Sequence, residues 1–187
     1  MEIKLLKENE VWLKGKKEGL TVDVGVEDVK KVGARIALFT AKSSISPGFD
    51  GEKLVINGAG EYEAGGVEIK GIGNGDKVIY LIVMEGIEVM VLPELKEELK
   101  DKKVERLGEA DVLVFDLKTV KNLGPKKIRD WAKIWGVNYL VPTGGDEAAR
   151  QKFFDEMDCE GLAGVESLKL DKDGLPEGSE VVWLLNS

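Results

Sequence analysis

About a dozen segments of the sequence alternate or run apolar over strand length, more than one open sheet holds without curling or splitting. Strands come first. "EIKLL" and "EVWLKG", joined near Lys7–Asn9, are followed by "LTVDV", "RIALFT" and, after a turn at "PGFDGE", "KLVIN". "GAGEYEAGGVEIKGIG" then reads as a hairpin, with Gly65-Gly66 supplying the positive φ of a tight turn. "KVIYLIV" and "IEVMVL" pair around Glu85-Gly86. From there helix and strand alternate. "PELKEELKDKKVERLG" reads as a polar helix and "ADVLVFDL" as a strand covered on both faces. "GPKKIRDWAKIWG" is an amphipathic helix, with Ile128, Trp131, Ala132 and Trp135 on one stripe. "VNYLVP" is a strand, and Asp146 caps a helix over "GGDEAARQKFFDEMD". "VESLKL" and "EVVWLLN" close the chain as strands. Two sheets packed face to face with helices outside accommodate this order, with residues 1–187 as one domain.

The chain contains no histidine. Histidine titrates near neutrality without help and is the commonest metal ligand. Its absence removes Ser-His-Asp and Cys-His nucleophiles, and it removes catalytic zinc sites of the usual kind. The one cysteine, Cys159, lies among acids in "EMDCEG". With no partner for a disulfide it suits a reducing cytoplasm and reads as a bystander. A net charge of −8 disfavours nucleic acid and anionic membrane as partners. The basic cluster of Lys118, Lys121, Lys126, Lys127, Arg129 and Lys133 reads as a solvated helix face. No apolar run reaches the length of a membrane span, and "MEIKLLKENE" lacks the apolar core of a signal peptide.

Taken in order, these segments resemble the metallo-β-lactamase fold, in the small branch similar to ascorbate-6-phosphate lactonase and related metal-dependent hydrolases. The likeness rests on "EIKLL…VWLKGKK", "VDV" at 22–24, "IALFT" at 36–40 and above all "VINGAGEYEAGGVEIKGI" at 55–72. "VIYLIVMEGIEVMVLPEL", "EADVLVFDL" and "VNYLVPTGG" continue it. The resemblance implies an α/β, four-layer αββα sandwich of two mixed sheets, with a metal site on loops at the strand ends of one edge.

In that family Thr-His-x-His-x-Asp-His follows the strand matched by "IALFT". This chain reads Thr40-Ala41-Lys42-Ser43-Ser44-Ile45-Ser46. The histidine positions fall on Ala41, Ser43 and Ser46, and the aspartate position on Ile45. A Gly-His-Ser near the first strand falls on Lys7-Glu8-Asn9, the Gly-Asp that supplies a bridging ligand on Pro93-Glu94, and a late Pro-x-His on Pro142-Thr143-Gly144. Only Asp23 and an acid at Glu94 survive.

The expectation is therefore a chain with no cofactor and no catalytic residue, acting in binding or assembly with a protein partner or with itself. The vestigial mouth would involve residues 41–50, 60–64, 93–95 and 143–146, and the amides of "PTGGDE" could hold an anion. One alternative is a hydrolase of a lactone or phosphoester using an all-oxygen Mg²⁺ or Mn²⁺ site from Glu8, Asp23, Asp50, Glu61 and Glu94. The other is serine chemistry at Ser43, Ser44 or Ser46 beside Lys42.

Overall fold

Alternation decides which face each strand buries, and on that basis the chain folds into two sheets. The computed structural model describes residues 1–41 and 54–186. The first half holds β1 (Glu2–Lys7), β2 (Glu10–Lys14), β3 (Gly19–Val22), α1 (Val26–Val32), β4 (Ile36–Leu38) and β5 (Leu54–Ile56). A meander follows: β6 (Gly60–Ala64), β7 (Val67–Asn74), β8 (Lys77–Met84) and β9 (Ile87–Leu92). The second half alternates: α2 (Asp101–Leu107), β10 (Val112–Asp116), α3 (Leu117–Leu123), α4 (Pro125–Ile134), β11 (Tyr139–Thr143), α5 (Glu147–Glu156), β12 (Leu168–Lys169) and β13 (Glu180–Val181).

One sheet has the order β12-β1-β2-β3-β4-β5, the other β13-β11-β10-β9-β8-β7-β6. Both are mixed. The β6–β9 meander is antiparallel, while β9, β10, β11 and β13 run parallel. Ile3, Leu5, Tyr80, Ile82, Val112 and Val114 meet in the core between the sheets. The opposite faces of β8–β11 carry Ile79, Met90, Leu113, Phe115 and Leu140, which pack under α2–α5. That double coverage is why "ADVLVFDL" reads as continuous apolar sequence. The outer layers are unequal. Among the described residues, α1 is the helix over the six-stranded sheet, on a small cluster of Val24, Val29 and Ala34.

The expected sandwich is therefore present, and so are several of its local devices. Gly65 and Gly66 turn the β6–β7 hairpin at φ +61° and +79°. The Asp146 carboxylate accepts the Ala149 N–H at 2.8 Å and caps α5. Ile128, Trp131, Ala132 and Trp135 are all buried.

Four expectations are corrected. The helix expected from Pro93 is confined to Asp101–Leu107. The Leu95 N–H is taken by Thr119 Oγ1 at 2.9 Å, and its carbonyl accepts Asn122 Nδ2 at 2.8 Å. Those bonds tie the segment to α3 instead of to a ladder of its own. Leu117, read as strand, begins α3, because Asp116 turns its carboxylate onto the Lys118 N–H and ends the strand. No helix is expected from the sequence between β3 and β4, where α1 forms with Val29 buried and Val32 packed against the same cluster. The two closing strands shrink to two residues each. Among the described residues no helix is long and apolar enough to cross a membrane.

The chain leaves β3, β4, β9, β10 and β11 along one edge of the sandwich, at Asp23, Phe39, Pro93, Leu117 and Gly144. Ligands of open α/β sheets bind beyond such carboxyl ends.

Candidate functional site

The strand ends enclose a hollow of about 240 Å³. Its chemistry comes from Asn9, Asp23, Lys77, Glu94, Asp116 and Lys118. Asp23 leaves β3 at φ +56°, a region aspartate tolerates better than most residues. Its two carboxylate oxygens accept the Thr40 N–H at 2.8 Å and the Thr40 hydroxyl at 2.5 Å. The Thr40 carbonyl in turn accepts the Val78 N–H at 2.7 Å, and Ala41 bridges Lys77. Asp23 thus fixes the point where the two sheets are stitched together beside the hollow. Behind it the Tyr80 hydroxyl lies 3.0 Å from the Phe39 carbonyl and 3.3 Å from that of Ile56. Burial first, then Tyr62 and Asp23, push the Tyr80 phenol far above its ordinary value, so it stays protonated.

Asp116 is about nine-tenths buried, at 9% exposure. One oxygen accepts the Lys118 N–H at 2.8 Å and the other accepts Asn9 Nδ2 at 3.1 Å. Burial raises its pKa, the Lys118 N–H and ammonium oppose that, Glu94 adds to it, and Lys77 opposes it. Asn9 presses its amide against Gly144, whose φ is +56°; a Cβ there would lie 2.3 Å from Asn9 Oδ1. Gly144 therefore makes room for Asn9.

The raised pKa of Asp116 has a sign. The folded chain holds this proton more tightly than the unfolded chain does. Stability is therefore lost as pH rises through the window just above the ordinary aspartate range, and recovered on acidification through it. Asp116→Asn keeps a capping side chain and removes the titration. Urea midpoints measured across that window are expected to flatten in the variant; an unchanged slope would assign the dependence elsewhere.

The donors of the hollow, among the described residues, are not arranged around a divalent cation. Among the described residues no group of three or more His, Cys, Asp or Glu side chains is arranged to hold one. The oxygens of Asp23 and Asp116 accept protein donors, and Lys77 and Lys118 bring ammonium groups to the same hollow.

Of the positions singled out from the sequence, Asp23 and Glu94 line the hollow, and Ala41 lies beside it, bridged to Lys77. Glu8 does not join them. It lines a separate hollow of about 320 Å³ with Gly144, Gly145, Asp146, Glu147 and Arg150. Asn9, one residue on, reaches the strand-end hollow instead. Glu61 and the rest of 60–64 lie elsewhere, Glu61 to Glu63 in a trough along β6–β9. The carboxylates proposed for an all-oxygen site thus do not converge as a set. Ser43, Ile45 and Ser46, with Lys42, Ser44 and Asp50, lie outside the described residues. The turn at "PTGGDE" is capped by Asp146, and the hollow beside it carries Glu8, Glu147 and Arg150. Asn9, Lys77, Asp116 and Lys118 were not singled out as site residues. Only Asp116, an acid closing an apolar strand, left a readable signal. The basic cluster is a solvated face with acidic partners: Lys121 meets Asp146, Lys127 meets Glu98 and Arg129 meets Glu156. Burial first, then Glu160 and Asp158, raise the Cys159 thiol pKa and keep it dull.

No protein-family model and no curated protein matches the sequence. Solved structures do. A Thermotoga maritima protein of the metallo-beta-lactamase superfamily superposes with a TM-score of 0.77 at 21% identity, over 98% of both chains. The chain has the metallo-β-lactamase fold. The metallo-beta-lactamase fold protein YhfI from Bacillus subtilis matches over 97% of this chain and 95% of its own, with a TM-score of 0.62 and 10% identity. Igni18, a metallo hydrolase from Ignicoccus hospitalis, matches over 91% and 99%, with a TM-score of 0.60 and 11% identity. The strand-end hollow therefore belongs to a metallo-β-lactamase fold whose named neighbours include hydrolases.

Proposed function

We propose that this chain is a catalytically inactive member of the metallo-β-lactamase fold, of the lactonase-like branch, working in binding or assembly. The observation that carries the reading is the state of the hollow. Its carboxylates at Asp23 and Asp116 already accept protein donors, and the cations beside Asp116 are lysines. A hydrolase of this kind needs a metal, which lowers the pKa of bound water from about 15.7 to about 7 and polarises the scissile bond. A lysine ammonium can balance a carboxylate's charge but does not acidify water in this way. The chain also has no histidine to take over as base.

One observation favours a second reading. Asp23, Glu94 and Asp116 do line a single hollow, so a hard cation such as Mg²⁺ or Mn²⁺ is the alternative occupant. It would have to displace the donors that Asp23 and Asp116 now hold.

The test separates the two. Purified chain is incubated with Zn²⁺, Mn²⁺ or Mg²⁺ and assayed on a simple lactone and an aryl phosphodiester, with thermal melting in parallel. The expected result is turnover no faster than the metal-only blank and a Tm unmoved by millimolar cation. Turnover abolished by a chelator and restored by metal would overturn the proposal and support the alternative.

A further inference from the structure

The far end of the seven-stranded sheet carries an arrangement of charge that folding does not require. Along β6, β7 and β8 the outward side chains remain exposed or half-buried: Glu61, Glu63, Glu68, Lys70, Leu81 and Val83. With Glu88, Leu107 and Glu109 they line a trough of about 830 Å³. Strand register sets these groups in rows. Glu63 lies opposite Glu68, Glu68 opposite Val83, and Val83 opposite Glu88. In the next row Glu61 lies opposite Lys70, and Lys70 opposite Leu81. Like charges directly across a ladder are destabilising. Some glutamates elsewhere meet cations, as Glu18 does Arg35 and Glu156 does Arg129. Among the described residues, Glu61, Glu63, Glu68, Glu88 and Glu109 have no ion-pair partner.

The trough runs up to an edge. Among the described residues the sheet order ends at β6, whose other face turns Tyr62 and Ala64 onto the inner core. Charges on an edge strand alone would read as a guard against aggregation. Glu68 and Glu88 are on β7 and β9, inside the sheet, where they guard no edge.

We propose that β6 is the docking edge for an extended basic segment of a partner protein, with Lys or Arg at alternate positions, which adds a strand to the sheet. Its basic side chains would lie beside Glu61 and Glu63 and reach over Glu68. Its intervening apolar side chains would meet the face of Tyr62 and Ala64. Main-chain pairing supplies affinity in such additions and alternate side chains supply specificity. A second copy of this chain is a poor occupant: antiparallel pairing centred on Tyr62 sets Glu61 of one copy against Glu63 of the other. The proposal goes beyond the inactivity argued above, and it stands whether or not the strand-end hollow is catalytic.

The test uses the full chain and a labelled peptide of about seven residues alternating Lys and Val, long enough for one strand. The control peptide has the same composition with all its lysines at one end. Fluorescence anisotropy is expected to show the alternating peptide binding at least about ten-fold more tightly than the blocked one, with affinity falling as salt is added. Hydrogen exchange is expected to slow at β6 amides on binding. The double variant Glu61→Lys/Glu63→Lys should lose about ten-fold or more in affinity, whereas Glu166→Lys/Glu177→Lys, at exposed positions outside the trough, should not. Glu68→Gln gives an independent readout: it should weaken binding while raising Tm by about 1–3 °C, because a like-charge pair is removed. Equal binding of the two peptides, equal loss in both double variants, or unchanged exchange at β6 would overturn the proposal. So would a peptide-free dimer held through β6.

Discussion

Trp135→Ala lowers the stability of the chain by about 4 kcal/mol, a large part of the roughly 5–15 kcal/mol that holds a domain folded. Trp135 ends α4 with 1% of its surface exposed. Its indole stacks on Trp131 at 5.6 Å between ring centroids and donates from Nε1 to the Val104 carbonyl at 3.0 Å. The side chain therefore joins α4 to α2 over the outer face of the seven-stranded sheet, and alanine leaves a void among groups that cannot close on it. Trp135→Phe restores most of the bulk and strands the Val104 carbonyl, so it should cost about 1–2 kcal/mol. Urea unfolding followed by far-UV circular dichroism checks both. A loss below about 1 kcal/mol for the alanine variant would show that α2 and α4 are not coupled through this residue.

Asp23→Ala is expected to cost about 3 kcal/mol. Two buried donors on Thr40, itself 4% exposed, lose their acceptor, at about 1–3 kcal/mol for a buried group left unsatisfied. Alanine at φ +56° adds roughly 1 kcal/mol of backbone strain. Asp23→Gly separates these contributions, because glycine removes the strain and leaves the lost hydrogen bonds. Asp23→Asn retains one acceptor and should cost about half as much. If Asp23 were a metal ligand, Asp23→Asn would instead leave the metal-free stability close to wild type and abolish any stabilisation by added cation. Melting curves of the three variants with and without Mn²⁺ distinguish the two roles.

The fold was legible because its largest decision is local. Apolar residues spaced by two place Ile3 and Leu5, or Tyr80 and Ile82, on one face of a strand, and too many such strands exist for one sheet. The stripe through Ile128, Trp131 and Trp135 is equally local, since helical spacing alone aligns it. At residues 93–100, where the reading failed, a distant partner had intervened. Thr119 and Asn122 claimed the backbone of Leu95 and shortened a helix that its own residues favour. Nothing within residues 93–100 records that competition.

The site divides the same way. The family resemblance placed Asp23 and Glu94 at the strand-end edge, and β3 and β9 end at Val22 and Leu92, just before them. The chain also determined, through its lack of histidine, that no imidazole could serve there. Tertiary structure alone decided that Asn9, rather than Glu8, meets Asp116 across a separation of 107 residues. It alone brought Lys77 to the hollow that holds Asp23 and Asp116. Strand periodicity fixes the face a side chain takes, whereas the neighbours on that face depend on how the strands pair. Pairing between strands that no tight turn joins minimises the free energy of the whole sandwich, so no short segment encodes it.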